Sequence, residues 1–152
     1  MVSLVDITED NYREVCSLSV AEDQMGFVAP PVSILARAYA KRARNARALA
    51  IASDDTIAGV LMFMELHEEP ACYAIEQFMI DHRYQNKGIG KQALQLVIGL
   101  LAEDGKYAAI EICVKMSASQ AISVYKSAGF EDTGYIDPGE PDSFVLRKLI
   151  CQ

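Results

Sequence analysis

Long apolar runs are missing from this chain. None reaches the length of a membrane-spanning helix, so no helical span is expected. The start, Met1-Val2-Ser3-Leu4-Val5-Asp6, has no basic stretch ahead of an apolar one and does not read as a signal peptide. A cytoplasmic protein without a membrane partner is the default expectation. Cysteine is sparse: Cys16, Cys72, Cys113 and Cys151 are scattered, and none forms a C-x-x-C pair. Only His67 and His82 could supplement them, so no metal site is expected. Cys72 and Cys113 fall in apolar strand patterns and read as ordinary core thiols. Positive charge is also in deficit, with 14 Lys plus Arg against 21 Asp plus Glu and a net charge of −7. Nucleic acid is a poor partner for so acidic a domain. Small cations are a better one, because an acidic cleft raises their local concentration, although acidity alone also serves solubility.

What is present points to a folded domain. The 152 residues suit one unit, 1–152, and 51% of them are hydrophobic, which argues against disorder. Residues 2–7 read as a strand. Thr8 can cap a helix with Tyr12, Val15, Cys16 and Leu18 among its apolar positions. A second helix is expected over 32–43, with Ile34, Leu35, Ala38 and Tyr39 facing inward. Strands follow over 47–53, 56–66 and 71–81. A helix over 92–102 ends at Asp104-Gly105, and a buried strand covers 108–114. A helix over 117–128 stops at Gly129, and strands over 130–136 and 142–149 close the chain as a hairpin. The order β-α-α-β-β-β-α-β-α-β-β indicates an α/β fold with a mixed, mostly antiparallel sheet flanked by helices.

The most informative segment is Arg83-Tyr84-Gln85-Asn86-Lys87-Gly88-Ile89-Gly90-Lys91, between the strand 74–80 and the helix that follows. Its glycines let the backbone approach a ligand closely, and the helix start offers free N–H groups to an anion. Arg83, Lys87 and Lys91 add positive charge. A phosphate-bearing cofactor is the natural occupant. A Walker loop is excluded, because Gln85 and Gln92 stand where glycine and Ser or Thr are required. The dinucleotide fingerprint G-x-G-x-x-A fits Gly88 to Ala93, with Glu111 near its acidic position. Its strand-to-loop spacing and its place in the chain do not fit.

Gln85-x-x-Gly88-x-Gly90 resembles the Q/R-x-x-G-x-G/A signature of GNAT-type acetyltransferases. Ala121-Ile122-Ser123-Val124-Tyr125-Lys126-Ser127-Ala128-Gly129-Phe130 resembles their A-x-x-x-Y-x-x-x-G-F segment, at the expected separation. The resemblance implies the GNAT fold, acetyl-CoA as co-substrate, and acetyl transfer to an amine. Phe78, Met79 and Ile80 would supply backbone contacts to the pantetheine arm, with the Ile80 N–H polarising the acyl oxygen. Gln85, Asn86, Lys87, Gly88, Ile89, Gly90 and Lys91 would hold the phosphates. Tyr125 would protonate the departing thiolate, for which a phenol with pKa near ~10 is suited. Where many relatives carry Asn seven positions before that tyrosine, this chain has Ala118, with Ser117 or Ser119 as substitutes. Domains of this family often dimerise, but no exposed apolar stripe for a homodimer is legible.

Glu76 lies alone in the apolar run Ala74-Ile75-Glu76-Gln77-Phe78-Met79-Ile80. Alternation would put it on one face with Phe78 and Ile80. An isolated carboxylate there is expected to have a raised pKa, suited to a general base. The Glu76 segment and Glu22-Asp23-Gln24-Met25-Gly26-Phe27-Val28 both resemble bacterial spermine/spermidine N-acetyltransferases. That likeness implies Glu22, Asp23 and Glu76 as readers of a polyamine's ammonium groups, with Glu65, Glu68 and Glu69 adding negative potential. The alternatives are another small amine, an antibiotic amine, a protein amine, or a non-catalytic acetyl-CoA sensor.

Overall fold

The computed structural model describes residues 1–150, so Cys151 lies outside the described residues. Strands β1 (Val2–Asp6), β2 (Arg47–Ser53), β3 (Thr56–Leu66), β4 (Cys72–Ile80), β5 (Ala109–Lys115), β6 (Glu131–Asp132) and β7 (Ser143–Leu149) form one sheet. Helices α1 (Tyr12–Cys16), α2 (Pro31–Ala40), α3 (Ile89–Asp104) and α4 (Ser119–Ser127) cover it. The spatial order is β1-β2-β3-β4-β5-β7-β6. Every neighbouring pair is antiparallel except β4 and β5. The expected element order and mixed sheet are therefore observed.

Helices on both faces explain why the central strands lack a polar face. In β3, all residues from Ala58 to Glu65 are buried. One core, with Leu94, Val97, Leu101, Ile110 and Phe130, lies under α3 and α4. The other, with Val15, Ile34, Val60 and Met62, lies under α1 and α2. Helix α3 buries Ile89, Ala93, Leu94, Val97, Ile98 and Leu101 at helical spacing. It begins three residues before the expected position, because Gly88 adopts φ 81 as its N-cap and buried Ile89 anchors the first turn. It ends where Gly105, at φ 69, donates its N–H to the Leu101 carbonyl.

Several boundaries depart from the sequence reading. Helix α1 is a short turn capped at Asn11, not Thr8. The Asn11 side chain accepts from the Thr8 N–H at 2.8 Å and donates to the Asp6 carbonyl at 2.9 Å, which ties the chain into a turn before the helix starts. Helix α2 stops at Ala40, and Arg42–Arg44 continue as a 3-10 turn. Tyr39 is not inward-facing but 69% exposed, with the Arg42 guanidinium 4.1 Å from its ring centroid. The closing hairpin has only a stub on its first side, since β6 pairs with β7 through Glu131 and Asp132 alone. Cys72 is a core thiol, but Cys113 is exposed.

The feature that positions a site is a failure of pairing. β4 and β5 run parallel only through Tyr73–Ile110, Ala74–Glu111 and Ile75–Ile112, and then diverge. On its other edge β4 has a bulge at the same place: Gln77 faces Met62 while Ile75 faces Phe63, leaving Glu76 as the extra residue. The bulge turns the strand and interrupts its alternation. Tyr73 and Ile75 face the α3 side before it, and Phe78 and Ile80 face that side after it.

Candidate active site

The gap between β4 and β5 opens into a cleft of about 540 Å³. Residues 75–80, the loop to α3, the end of β5 and the start of α4 line it. Backbone register decides what β4 offers. The Asp81 N–H bonds the Ala58 carbonyl at 2.8 Å. In an antiparallel ladder the next paired residue is then Met79, opposite Val60. Phe78 and Ile80 consequently direct their N–H groups away from β3, toward the cleft. Met79 directs its backbone to Val60 and packs in the second core, and it also lines the cleft.

The loop's side chains are engaged more closely with the protein than expected. Asp81 is fully buried, and its carboxylate accepts from Ser19 N–H at 2.9 Å, Arg83 N–H at 2.9 Å and Arg83 Nε at 2.8 Å. Burial pushes its pKa up, but these bonds and the Arg83 charge outweigh it and hold the carboxyl at about 2. Arg83 is thus committed to Asp81. Gln85 donates to the Ile80 carbonyl at 2.8 Å and exchanges amide bonds with Gln24 at 2.9 and 3.2 Å. Its side chain fixes the loop to the end of β4 and to Gln24. Asn86, at φ 62, accepts from Gln120 Nε2 at 3.0 Å, which joins the loop to α4. Gly88, Gly90 and Lys91 line the cleft, whereas Lys87 and buried Ile89 do not. No side chain caps α3, so its first N–H groups stay open to a ligand. Strand donors, an uncapped helix N-terminus and Lys91 suit an extended molecule bearing amides and a pyrophosphate.

Tyr125 lies on the cleft wall, packed edge-on against Phe78 and Phe130 with centroids 6.4 and 6.1 Å away. Burial pushes its phenol up to about 12. Among the described residues no protein group hydrogen-bonds its hydroxyl. Ser117 and Ser119 flank buried Ala118 on the same wall.

A second, larger cleft of about 1180 Å³ lies across the splay. Both clefts are lined by Phe27, Val28, Ile75, Glu76, Gln77 and Cys113. Glu76 is not the isolated carboxylate expected. Its Oε1 meets Lys41 Nζ at 2.6 Å, and the bulge takes it out of phase with Phe78 and Ile80. Asp23 lines the first cleft, but Glu22 lines neither and stands exposed. Glu65 is withdrawn altogether: it is buried and bonded to Lys106, His67, Asn45 and Tyr107. Burial raises its pKa, but those bonds together hold it at about 2. Glu68 and Glu69 line the second cleft. Gln24 and Asp81 carry the loop's geometry yet were missed as site residues. The signal available was the conjunction of Gln24 with the acidic pair, and a lone Asp ending an apolar strand.

Among the described residues no group of His, Cys, Asp and Glu is arranged to hold a metal ion. No helix among them is long and apolar enough to cross a membrane.

A sheet split beside an uncapped helix N-terminus, with a buried phenol on the cleft wall, suits an acyl-CoA-dependent transferase. Comparison with known proteins makes that assignment specific. Residues 12–130 match the family described as acetyltransferase (GNAT) family, and the chain belongs to it. It is an acetyl-CoA-dependent N-acetyltransferase. Spermine/spermidine N(1)-acetyltransferase of Bacillus subtilis (strain 168) is 27% identical over 141 residues, covering 90% of this chain and 91% of that protein. The fold is shared with spermidine N-acetyltransferase from Vibrio cholerae, solved with CoA and spermine. The TM-score is 0.70 at 17% identity, covering 97% of this chain and 95% of that one. It is shared equally with ribosomal-protein-S18-alanine N-acetyltransferase from Escherichia coli, at TM-score 0.73 and 17% identity, covering 100% and 96%.

Proposed function

We propose that this N-acetyltransferase acetylates a primary amine of a polyamine or diamine. The observation that carries the reading is the second cleft. Glu68, Glu69, Glu76, Glu111, Asp137 and Glu140 line it, and it meets the cofactor cleft at Glu76. Glu68, Glu76, Glu111 and Glu140 meet Arg44, Lys41, Arg147 and Lys115, while Glu69 and Asp137 have no ion-pair partner among the described residues and are the carboxylates open to the spaced ammonium groups of a flexible chain. The name of the Bacillus subtilis relative supports the same class.

The chemistry follows from the residues in place. The pyrophosphate would rest on the N–H groups at the start of α3, beside Lys91. Phe78 and Ile80 would pair with the amide-bearing arm as a strand would. A neutral amine attacks the thioester carbon, and the Ile80 N–H stabilises charge developing on the acyl oxygen. As the carbon–sulfur bond breaks, the Tyr125 hydroxyl gives its proton to the sulfur. The amine's proton passes to the Glu76 carboxylate, directly or through water. Asp23, at the mouth of the first cleft, and exposed Glu22 beside it would attract the far end of a polyamine.

The test is a turnover assay with acetyl-CoA and a panel of spermine, spermidine, monoamines of similar length, aminoglycosides and peptides. Spermine and spermidine should give the highest kcat/KM. Efficient peptide acetylation with spermine ignored would overturn the acceptor class and leave the enzyme class standing.

A further inference from the structure

The second cleft contains cations as well as carboxylates. Arg37, Lys41, Lys115 and Arg147 line it too. Two of them serve the scaffold. Arg147 meets Glu111 at 2.8 Å, directly across the β5–β7 register. Lys115 bridges Glu140 and Asp142 at 3.1 and 2.9 Å and ties β5 to the loop before β7.

Lys41 is different. It is the C-cap of α2 and reaches a residue that lines both clefts. The contact joins elements 35 residues apart at 2.6 Å. The Lys41 side chain remains 41% exposed while Glu76 is 18% exposed, so the lysine can swing into solvent but the carboxylate cannot. A lysine side chain is a butyl stem ending in a primary ammonium. It is chemically the same group as the end of a diamine.

We infer that Lys41 sets the acceptor specificity of this cleft by competing with the substrate's ammonium for Glu76. The inference rests on the polyamine reading above. Replacing Lys41 Nζ by a substrate ammonium on the same carboxylate conserves charge, so the exchange gains little Coulomb energy of its own. Because the lysine is tethered, its effective concentration at Glu76 is high, and a free amine must overcome it. A monoamine has only that exchange to offer. A polyamine adds ammonium groups that reach Glu69 and Asp137, the lining carboxylates without an ion-pair partner among the described residues, so the competition favours acceptors with several charges. The device discriminates by raising the threshold for entry, not by adding an attraction.

The test is calorimetric titration of spermine and of hexylamine into the protein saturated with CoA. Wild type, Lys41→Met, Lys41→Arg, Glu76→Gln and the double variant Lys41→Met/Glu76→Gln are compared, with a thermal melt of each. Lys41→Met should tighten both ligands, by about tenfold, the effect of removing a competing contact of roughly 1.4 kcal/mol. Hexylamine should gain at least as much as spermine, narrowing the preference. Lys41→Arg keeps a cation and should stay near wild type. The gain should vanish in the Glu76→Gln background, where nothing remains to compete for. Spermine binding that Lys41→Met leaves unchanged or weakens overturns this inference alone. Absence of spermine binding in every variant overturns the polyamine reading and this inference with it. Spermine binding only after Lys41→Met is the expected result in its strongest form.

Discussion

Replacing Tyr125 with Phe removes one oxygen and keeps the ring between Phe78 and Phe130. The hydroxyl has no hydrogen-bond partner among the described residues, so its loss should change folding stability by less than about 1 kcal/mol. The catalytic consequence should be far larger. If the phenol protonates the departing thiolate, kcat should fall by about 10²-fold or more, roughly 2.7 kcal/mol on the barrier. Affinity for acetyl-CoA should hold, because the ring still forms the cleft wall. Burial has a second consequence. With its pKa pushed up to about 12, the phenol stays protonated through the range where a solvated tyrosine would ionise. Wild-type kcat should therefore show no loss near pH 10 from this group. The linked stability has a definite sign: a raised folded pKa means the fold favours the neutral phenol. That stabilisation is complete below the unfolded value of about 10 and is lost as pH rises from there through about 12. The assay is initial-rate release of the CoA thiol, followed with a thiol reagent across pH, alongside calorimetry with acetyl-CoA. A Tyr125→Phe enzyme within twofold of wild-type kcat would refute the acid role. So would a kcat loss matched by an equal loss of acetyl-CoA affinity, which would mark Tyr125 as a wall residue only.

Other outcomes follow from the same structure. A Cβ at Gly59 would lie 2.3 Å from the Met79 carbonyl, so Gly59→Ala should force β3 and β4 apart and lower the melting temperature markedly; an unchanged melt would contradict the close approach. Gly88→Val places a branched residue at φ 81 and should weaken acetyl-CoA binding in calorimetry, whereas ATP and NAD should not bind wild type at all. Glu65 and Asp81, both held at about 2, add stability that is present above their unfolded values and lost as pH falls through about 2. Acid melts should therefore drop below about pH 4.5, and less steeply in Glu65→Gln and Asp81→Asn than in wild type. Gln24→Leu breaks the amide pair with Gln85 and should raise KM for acetyl-CoA although Gln24 is remote in sequence from the loop, which steady-state kinetics would detect.

The elements were legible in the sequence because their signals are local. Helix α3 shows its burial in spacing alone, and Gly105 and Gly129 mark where helices stop. Apolar runs broken at Asp54-Asp55 mark β2 and β3 to the residue. The glycine loop and Tyr125 segment were legible as a spaced pair of motifs. What escaped depends on partners far along the chain. The bulge at Glu76 arises from register against β3, and nothing between Ala74 and Ile80 announces it. Lys41 stands at the end of α2, and its meeting with Glu76 needs the packing of α2 on the sheet. Arg83 reads as free positive charge beside the loop because Asp81, two residues earlier, reads only as the end of a strand. Tyr39 fell on the inward side of a helical wheel, yet α2 ends one residue later and the sheet does not reach beneath it. Glu65 read as a source of negative potential; four partners from three other segments consume that charge.

The split between β4 and β5 also bears on where the sheet leaves its strand edges unpaired. Unpaired strand edges are ordinarily hazards, since any extended chain can dock against them. Here the unfilled donors sit in the interior of the sheet order, with β3 on one side and β7 on the other, and the starts of α3 and α4 stand over the gap. The outermost strands bear the exposure to other chains, and of these β6 is only two residues long. The fold thus places its open hydrogen-bonding edge inside the sheet order instead of at its margin.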